Sequence, residues 1–295
     1  MSGNGYRFVI DEATFQLQEA YSFDWLTAMG RVFRVFDEQD SGNISFGVEQ
    51  DGCKYFVKFA GAKTMQFHGD PAEAVERLIQ AVPLYEELRH PSLIQLLSHG
   101  PVETGYAVVF EWTEGECLHS HWAFGGAAKY SDPESPFYRY RALSTEKRLD
   151  SLEVIFGFHK YIESKGYVAV DFYDGSILYD FTKDRTAICD IDFYQPKPFF
   201  NGMGEQLWGS KRFKSPEEYL LDAPIDEITN VYNMGATAFV LLGGESDRSR
   251  DKWEAEPELY KVALGAVDPE RAQRYRSVSE FKAEWDKARK EANDG

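Results

Sequence analysis

The stretch from Arg31 to Phe59 constrains the fold most. Three short runs rich in Val, Ile, Phe and Tyr follow one another: RVFRVF (31–36), ISFGVE (44–49) and KYFVKF (54–59). Asp40-Ser41-Gly42-Asn43 separates the first two and Asp51-Gly52 the second pair, and gaps of that size and chemistry are hairpin turns. The chain here is expected to form an antiparallel meander. Pro71 to Leu88 reads as a helix with a proline near its start, which Pro83 should kink or split. Leu93 to Leu97 and Tyr106 to Trp112 read as two more strands around a turn at Glu103-Thr104-Gly105. His119 to Ala142 reads as irregular, and from Ser144 the pattern is helical apart from a strand-rich patch between Tyr167 and Phe193. Five strands and a helix followed by a helical half define an α+β chain of two lobes. Its expected divisions are a loose lead-in over 1–23, a first lobe over 24–110, a joint over 111–115 and a second lobe over 116–295.

Bulk composition removes several function classes. With 43% apolar residues the chain is a globular one, and its 295 residues suffice for two joined lobes. A formal charge of −17 repels nucleic-acid phosphate and anionic lipid, so neither is an expected partner. A nucleotide would need its own local positive charge or metal ions. Cys53, Cys117 and Cys189 are odd in number and widely spaced, which fits a reducing, cytoplasmic setting. The first residues lack a basic segment followed by an apolar one, and the most apolar helix candidate, Val231 to Leu242, is too short to span a bilayer.

Against this background a series of segments, in order, resembles the protein kinase family. Phe56-Val57-Lys58 sits where that family has its third-strand lysine. Leu88 to Leu93 (LRHPSL) resembles the stretch after the first-lobe helix, and Val109-Phe110-Glu111-Trp112 with Gly115 resembles the hinge. Val170 to Leu178 (VDFYDGSIL) resembles the catalytic loop, and Cys189 to Tyr194 (CDIDFY) the metal-binding strand end. Gly209 through Phe213 to Ser215-Pro216-Glu217 resembles the end of the activation segment, and Arg274 is placed like the arginine that pairs with that glutamate. The resemblance covers nearly the whole chain and implies a bilobal protein-kinase-like fold: a five-stranded antiparallel sheet with one helix, then a mainly helical lobe. It implies ATP and Mg²⁺ as cofactors. Lys58 would hold phosphates, with Gly42, Ile44, Phe110, Glu111 and Trp112 around the nucleotide. Asp192, Ser176 and Asp190 would hold the metal. Asp171 would orient the attacking hydroxyl, with Ser210 beside it. Taken alone, Lys58 reads as a surface lysine on an edge strand and Asp171 as a turn cap.

The departures from that family are physical ones. The aligned glycine-rich loop is Asp37-Glu38-Gln39-Asp40-Ser41-Gly42, where three carboxylates stand in place of glycines that would let amides approach phosphate. Phe56 replaces a small residue on the lysine's face and either part-fills the base pocket or simply packs. Glu76 is the candidate partner of Lys58, although an ungapped count reaches Ala81. Ala169-Val170 replaces His-Arg, Tyr173 a lysine and Ser176 an asparagine. Asp192 to Trp208 holds no Ser or Thr and only Tyr194 as a hydroxyl, so loop phosphorylation is not the expected switch. Strand alternation would put Asp190 and Asp192 on one face, where the pair could hold a hard cation or Asp190 could be tied by an internal hydrogen bond. Asn230 stands where the family has an aspartate bracing the catalytic loop. His119-Ser120-His121 lacks a third metal ligand and reads as loop.

The implied activity is phosphoryl transfer from Mg-ATP to a Ser or Thr hydroxyl of a protein substrate. The alternatives are a pseudokinase that binds a partner protein without transfer, and a small-molecule phosphotransferase on a related fold. Oligomeric state is not legible.

Overall fold

The structure, a computed structural model, describes residues 5–120 and 123–294. The chain divides into two compact units, Met1–Glu114 and Gly115–Gly295. It is α+β. Its strand pairings are antiparallel, and the described residues form eight α-helices.

In the first unit, residues expected as a loose lead-in form a hairpin, β1 (Tyr6–Ile10) and β2 (Ala13–Leu17). Helix α1 (Asp24–Met29) follows it. The strands β3 (Arg31–Phe36), β4 (Asn43–Gln50), β5 (Cys53–Ala60), β6 (Leu96–Val102) and β7 (Gly105–Glu111) make one sheet in the order β3-β4-β5-β7-β6. Strand alternation gives this sheet two different faces. Ile44, Phe46, Val48, Val57 and Phe59 point to one side, where they form a core with Phe15, Leu17, Phe23 and Leu26. The opposite side receives helix α2 (Pro71–Glu87), whose Tyr85 ring lies 4.8 Å from that of Phe110. Asp70 caps α2 by accepting from the Ala72 N–H at 2.9 Å. The helix runs unbroken through Pro83 instead of splitting. Pro83 faces solvent, where water can serve the carbonyl that loses its partner. Sheet strand β6 begins three residues later than the apolar run at Leu93 suggested, because Leu93 and Ile94 pack in a turn before it.

The second unit is built on helices α5 (Thr145–Ser164), α6 (Glu227–Leu242), α7 (Pro257–Ala266) and α8 (Val278–Asp294). Helix α6 is buried from Thr229 to Leu242, so its apolar character reflects a central position. Phe281 and Trp285 of α8 pack on Phe156 of α5 with ring centroids 4.9 and 5.2 Å away. The short strands β8 (Glu116–Cys117), β10 (Ile177–Asp180) and β11 (Arg185–Ile188) form a sheet in the order β11-β10-β8, and β9 (Tyr167–Val168) precedes the loop of interest. The stretch expected to be irregular contains helices α3 (Ala128–Ser131) and α4 (Pro136–Arg141), and α4 buries Phe137 and Tyr140. No helix among the described residues is long and apolar enough to cross a membrane.

Candidate functional sites of the two units

Lys58 lies on β5, with Ser45 of β4 and Val108 of β7 as register partners on either side. It therefore occupies a central strand, not an edge. Phe56 shares its face and packs in an aromatic row: Phe36 at 5.7 Å, Phe110 at 6.2 Å and, further along, Phe33 against Trp112 at 5.0 Å. Several expected companions lie elsewhere in this unit. Ile44 is register-paired with Phe59 and buried in the core on the other face, so Ser45 takes the place on the lysine's face. The physical reason is the two-residue period of a strand: a shift of one position reverses every side chain. Gly42 is wedged against α2, where an added Cβ would come within 2.8 Å of Ala74 and of Phe67. Arg77 strengthens that contact by donating to the Ser41 carbonyl at 3.0 Å. Glu76 is on the exposed face of α2 and accepts from Gln80 at 3.4 Å. The buried face of α2 carries Ala74, Leu78, Ala81, Val82, Leu84 and Tyr85. The Glu111 and Trp112 amides donate inward, to Gln95 and Lys54 carbonyls at 2.9 and 3.2 Å.

In the second unit the loop after β9 is held from below. Asn230 accepts from the Ala169 N–H and donates to the Ala169 carbonyl, both at 2.8 Å. An amide side chain offers one donor and one acceptor, and here both go to a single peptide. Two residues on, Asp171 has a left-handed backbone, φ 64°, uncommon outside glycine and frequent at functional turns. A Cβ added at Gly209 would lie 4.0 Å from the Asp171 Cα, so Gly209-Ser210 runs directly beside Asp171. Ser176 is buried; its carbonyl accepts from the Cys189 N–H at 2.9 Å and ties the loop to the stretch after β11.

Asp190 and Asp192 do not share a strand face. Strand β11 ends at Ile188, and Asp190 turns left-handed at φ 60°. Alternation fails where the strand has already stopped. Asp171 and Asp190 both act on two buried tyrosines. Burial, then the charges of Asp171 and Asp190, push the Tyr173 phenol far above its ordinary range. Burial, then Asp190 and Asp171, do the same to Tyr194. Tyr194 is also locked. Its hydroxyl donates to His159 Nε2 at 2.8 Å, while His159 Nδ1 donates to the Ile155 carbonyl at 2.8 Å. Burial pushes His159 down to about 4, so the ring is neutral, as that tautomer requires.

The segment after Ser210 is anchored at its far end. Glu217 accepts from Arg274 at 2.7 and 3.1 Å, from Arg271 at 2.7 Å and from Thr229 at 3.0 Å. Arginine forks hold a carboxylate this way with fixed geometry. Lys214, Arg212, Lys129 and Asp174 are not among the residues that the family resemblance marks. Lys214 donates to the Leu207 carbonyl at 2.7 Å, and the charges of Glu218 and Asp171 partly offset the lowering of its pKa by burial. Lys211, Arg212 and Lys214 crowd three basic residues into four positions of an acidic chain, a signal that was there to be read. His119 Nδ1 lies 3.9 Å from Asp174, and His121 falls outside the described residues. No group of three His, Cys, Asp or Glu among the described residues could hold a metal ion. No family model matches the chain, and no curated protein matches it at a significant level.

Proposed function

We propose that the chain is a protein-kinase-like phosphotransferase that moves a phosphoryl group from Mg-ATP to a Ser or Thr hydroxyl of a protein. In this reading the groups that matter are Lys58 of the first unit and, in the second, Asp171, Asp190 and the Gly209–Glu217 segment. The observation that carries it is the braced loop. Asp171 is presented by a left-handed turn clamped through Asn230, with Gly209-Ser210 beside it, and its charge and that of Asp190 both reach Tyr173. Phosphoryl transfer asks mainly for positioning and charge neutralisation. Asp171 accepts a hydrogen bond from the attacking hydroxyl and takes its proton as the new bond to the γ-phosphorus forms and the bond from that phosphorus to the bridging oxygen breaks, ADP being the leaving group. Asp190, with Ser176 and Asp192 in support, offers oxygen ligands of the kind Mg²⁺ takes, the rest of its shell coming from water and phosphate. When bound, that ion neutralises phosphate charge.

Thermal denaturation with and without 1 mM Mg-ATP tests binding. At ten times a Kd of about 100 μM, stabilisation is about 1.4 kcal/mol, a rise of a few degrees. Asp190→Asn is expected to lose most of it. Asp171→Asn should keep the shift and lose about 10²–10⁴-fold in transfer to an acceptor. A shift insensitive to Asp190 would sink the assignment. A second reading, a binding module without transfer, draws on the Phe36–Phe56–Phe110 row on the Lys58 face and on Gly42 packed against α2. It gains if neither nucleotide nor metal shifts the melting temperature.

A further inference from the structure

Asp174 is fully buried, three residues after Asp171, and bears an unusual load. Arg212 forks onto it with Nη2 on Oδ1 at 2.7 Å and Nη1 on Oδ2 at 2.9 Å. Lys129, itself buried, donates to Oδ2. Arg212 Nη1 continues to Glu245 at 3.3 Å, and the Tyr130 hydroxyl donates to Glu245 at 3.1 Å. The Lys129 ammonium also sits 4.1 Å from the centre of the Phe137 ring. Two cations and two carboxylates thus balance inside the unit. Burial opposes ionisation of Asp174, yet Arg212 and Lys129 outweigh it and hold the carboxyl below its usual range. Buried ion groups of this kind seldom raise stability over an apolar equivalent, and their best-attested use is to select one geometry. Here the joined pieces are telling. Asp174 belongs to the Asp171 loop, Arg212 is two residues past Ser210, and Gly209 already abuts Asp171.

We propose that Asp174 is a positioning residue: clamped between Lys129 and Arg212, it locks the Asp171 loop to the Gly209–Ser210 segment and fixes how an acceptor hydroxyl meets Asp171. The proposal rests on the phosphotransferase reading, and an ångström of slack between the two segments would cost about 10²-fold in rate. Asp174→Ala leaves a hole between two cations that formate can fill. In the full chain, amide exchange over 169–176 and over 207–215 is expected to accelerate together, by about 10-fold or more, while α6 stays protected. Turnover of Mg-ATP with a serine-rich acceptor such as casein should fall about 30–100-fold in kcat at unchanged KM for ATP, and formate should restore both exchange and turnover in part. Arg212→Gln, at a partly exposed residue, should give the same paired loss without formate rescue. Faster exchange in one segment only, or a loss of turnover with both segments still protected, overturns the clamp. If the wild-type chain transfers no phosphate, the phosphotransferase reading fails, while the exchange result still decides whether the clamp exists.

Discussion

A single peptide unit shows how this chain builds a site from residues that would be unremarkable apart. Ala169 has no side chain with which to organise the Asp171 loop, and Asn230, from buried helix α6, grips its backbone instead. Nearby His159 packs on Phe172 with ring centres 4.3 Å apart and accepts from Tyr194. That histidine carries a pH prediction. Its native pKa is about 4, against 6.5 for the ordinary side chain, so between those values the unfolded chain binds a proton that the native one refuses. The contribution is present in full above pH 6.5 and is lost as pH falls toward 4, at roughly 1.4 kcal/mol per pH unit and roughly 3 kcal/mol in all. His159→Gln keeps an acceptor for Tyr194 and does not titrate. Urea unfolding of both proteins across that range should show the wild type losing that much more stability than the variant, since the carboxylates are common to both. Parallel pH profiles would show that His159 is protonated in the native state.

At the scale of elements, what the sequence disclosed tracks periodicity. The meander announces itself by its aromatic and β-branched runs between tight turns, α8 by a 3.6-residue apolar repeat, and α6 by an unbroken apolar run that fits its burial on all sides. The misreadings are places where a repeat was cut short or shifted. The 6–17 hairpin carries a clear alternation, with Ala13, Phe15 and Leu17 buried between exposed neighbours, but its Asp11-Glu12 turn lacks glycine and Asp11 itself supplies the positive φ of 48°. Ile44 pairs with Phe59 in the core, and motif alignment across a degenerate loop does not fix register to one residue. Asp190 was assigned a strand that ends two residues earlier. For the Lys129–Asp174–Arg212 group the basic run at 211–214 is a local sign, but its partners are not, since they lie 45 and 38 positions apart. Helix α2 offers the test at this scale. Pro83, in the fourth turn of the helix, has no N–H to make a hydrogen bond to the carbonyl four residues back, while its side chain faces solvent. Pro83→Ala should therefore regain that bond without disturbing the buried face and stabilise the first unit by about 1–3 kcal/mol. Calorimetry that shows no gain would mean that the ring packs or kinks the helix to good effect.

Across the whole molecule, charge sets the terms on which any ligand is met. Residues 1–114 carry 8 basic and 17 acidic side chains, and residues 115–295 carry 24 and 32, so both units are acidic and the first more densely so. Self-repulsion on this scale destabilises the compact state and is screened by salt over a Debye length of about 10 Å at 0.1 M. The buried pairs, Glu217 with Arg274 and Asp174 with Arg212, are screened far less than exposed pairs such as Arg31 with Glu12. Surface attraction is worth little to begin with, so relief of repulsion should win. Raising NaCl from 20 to 500 mM is expected to add about 1 kcal/mol, or roughly 2–4 °C in melting temperature. Potassium glutamate at matched ionic strength should act alike, which separates screening from binding of a particular anion. A melting temperature that falls with salt would place the balance of stability in exposed ion pairs and remove repulsion as the governing term.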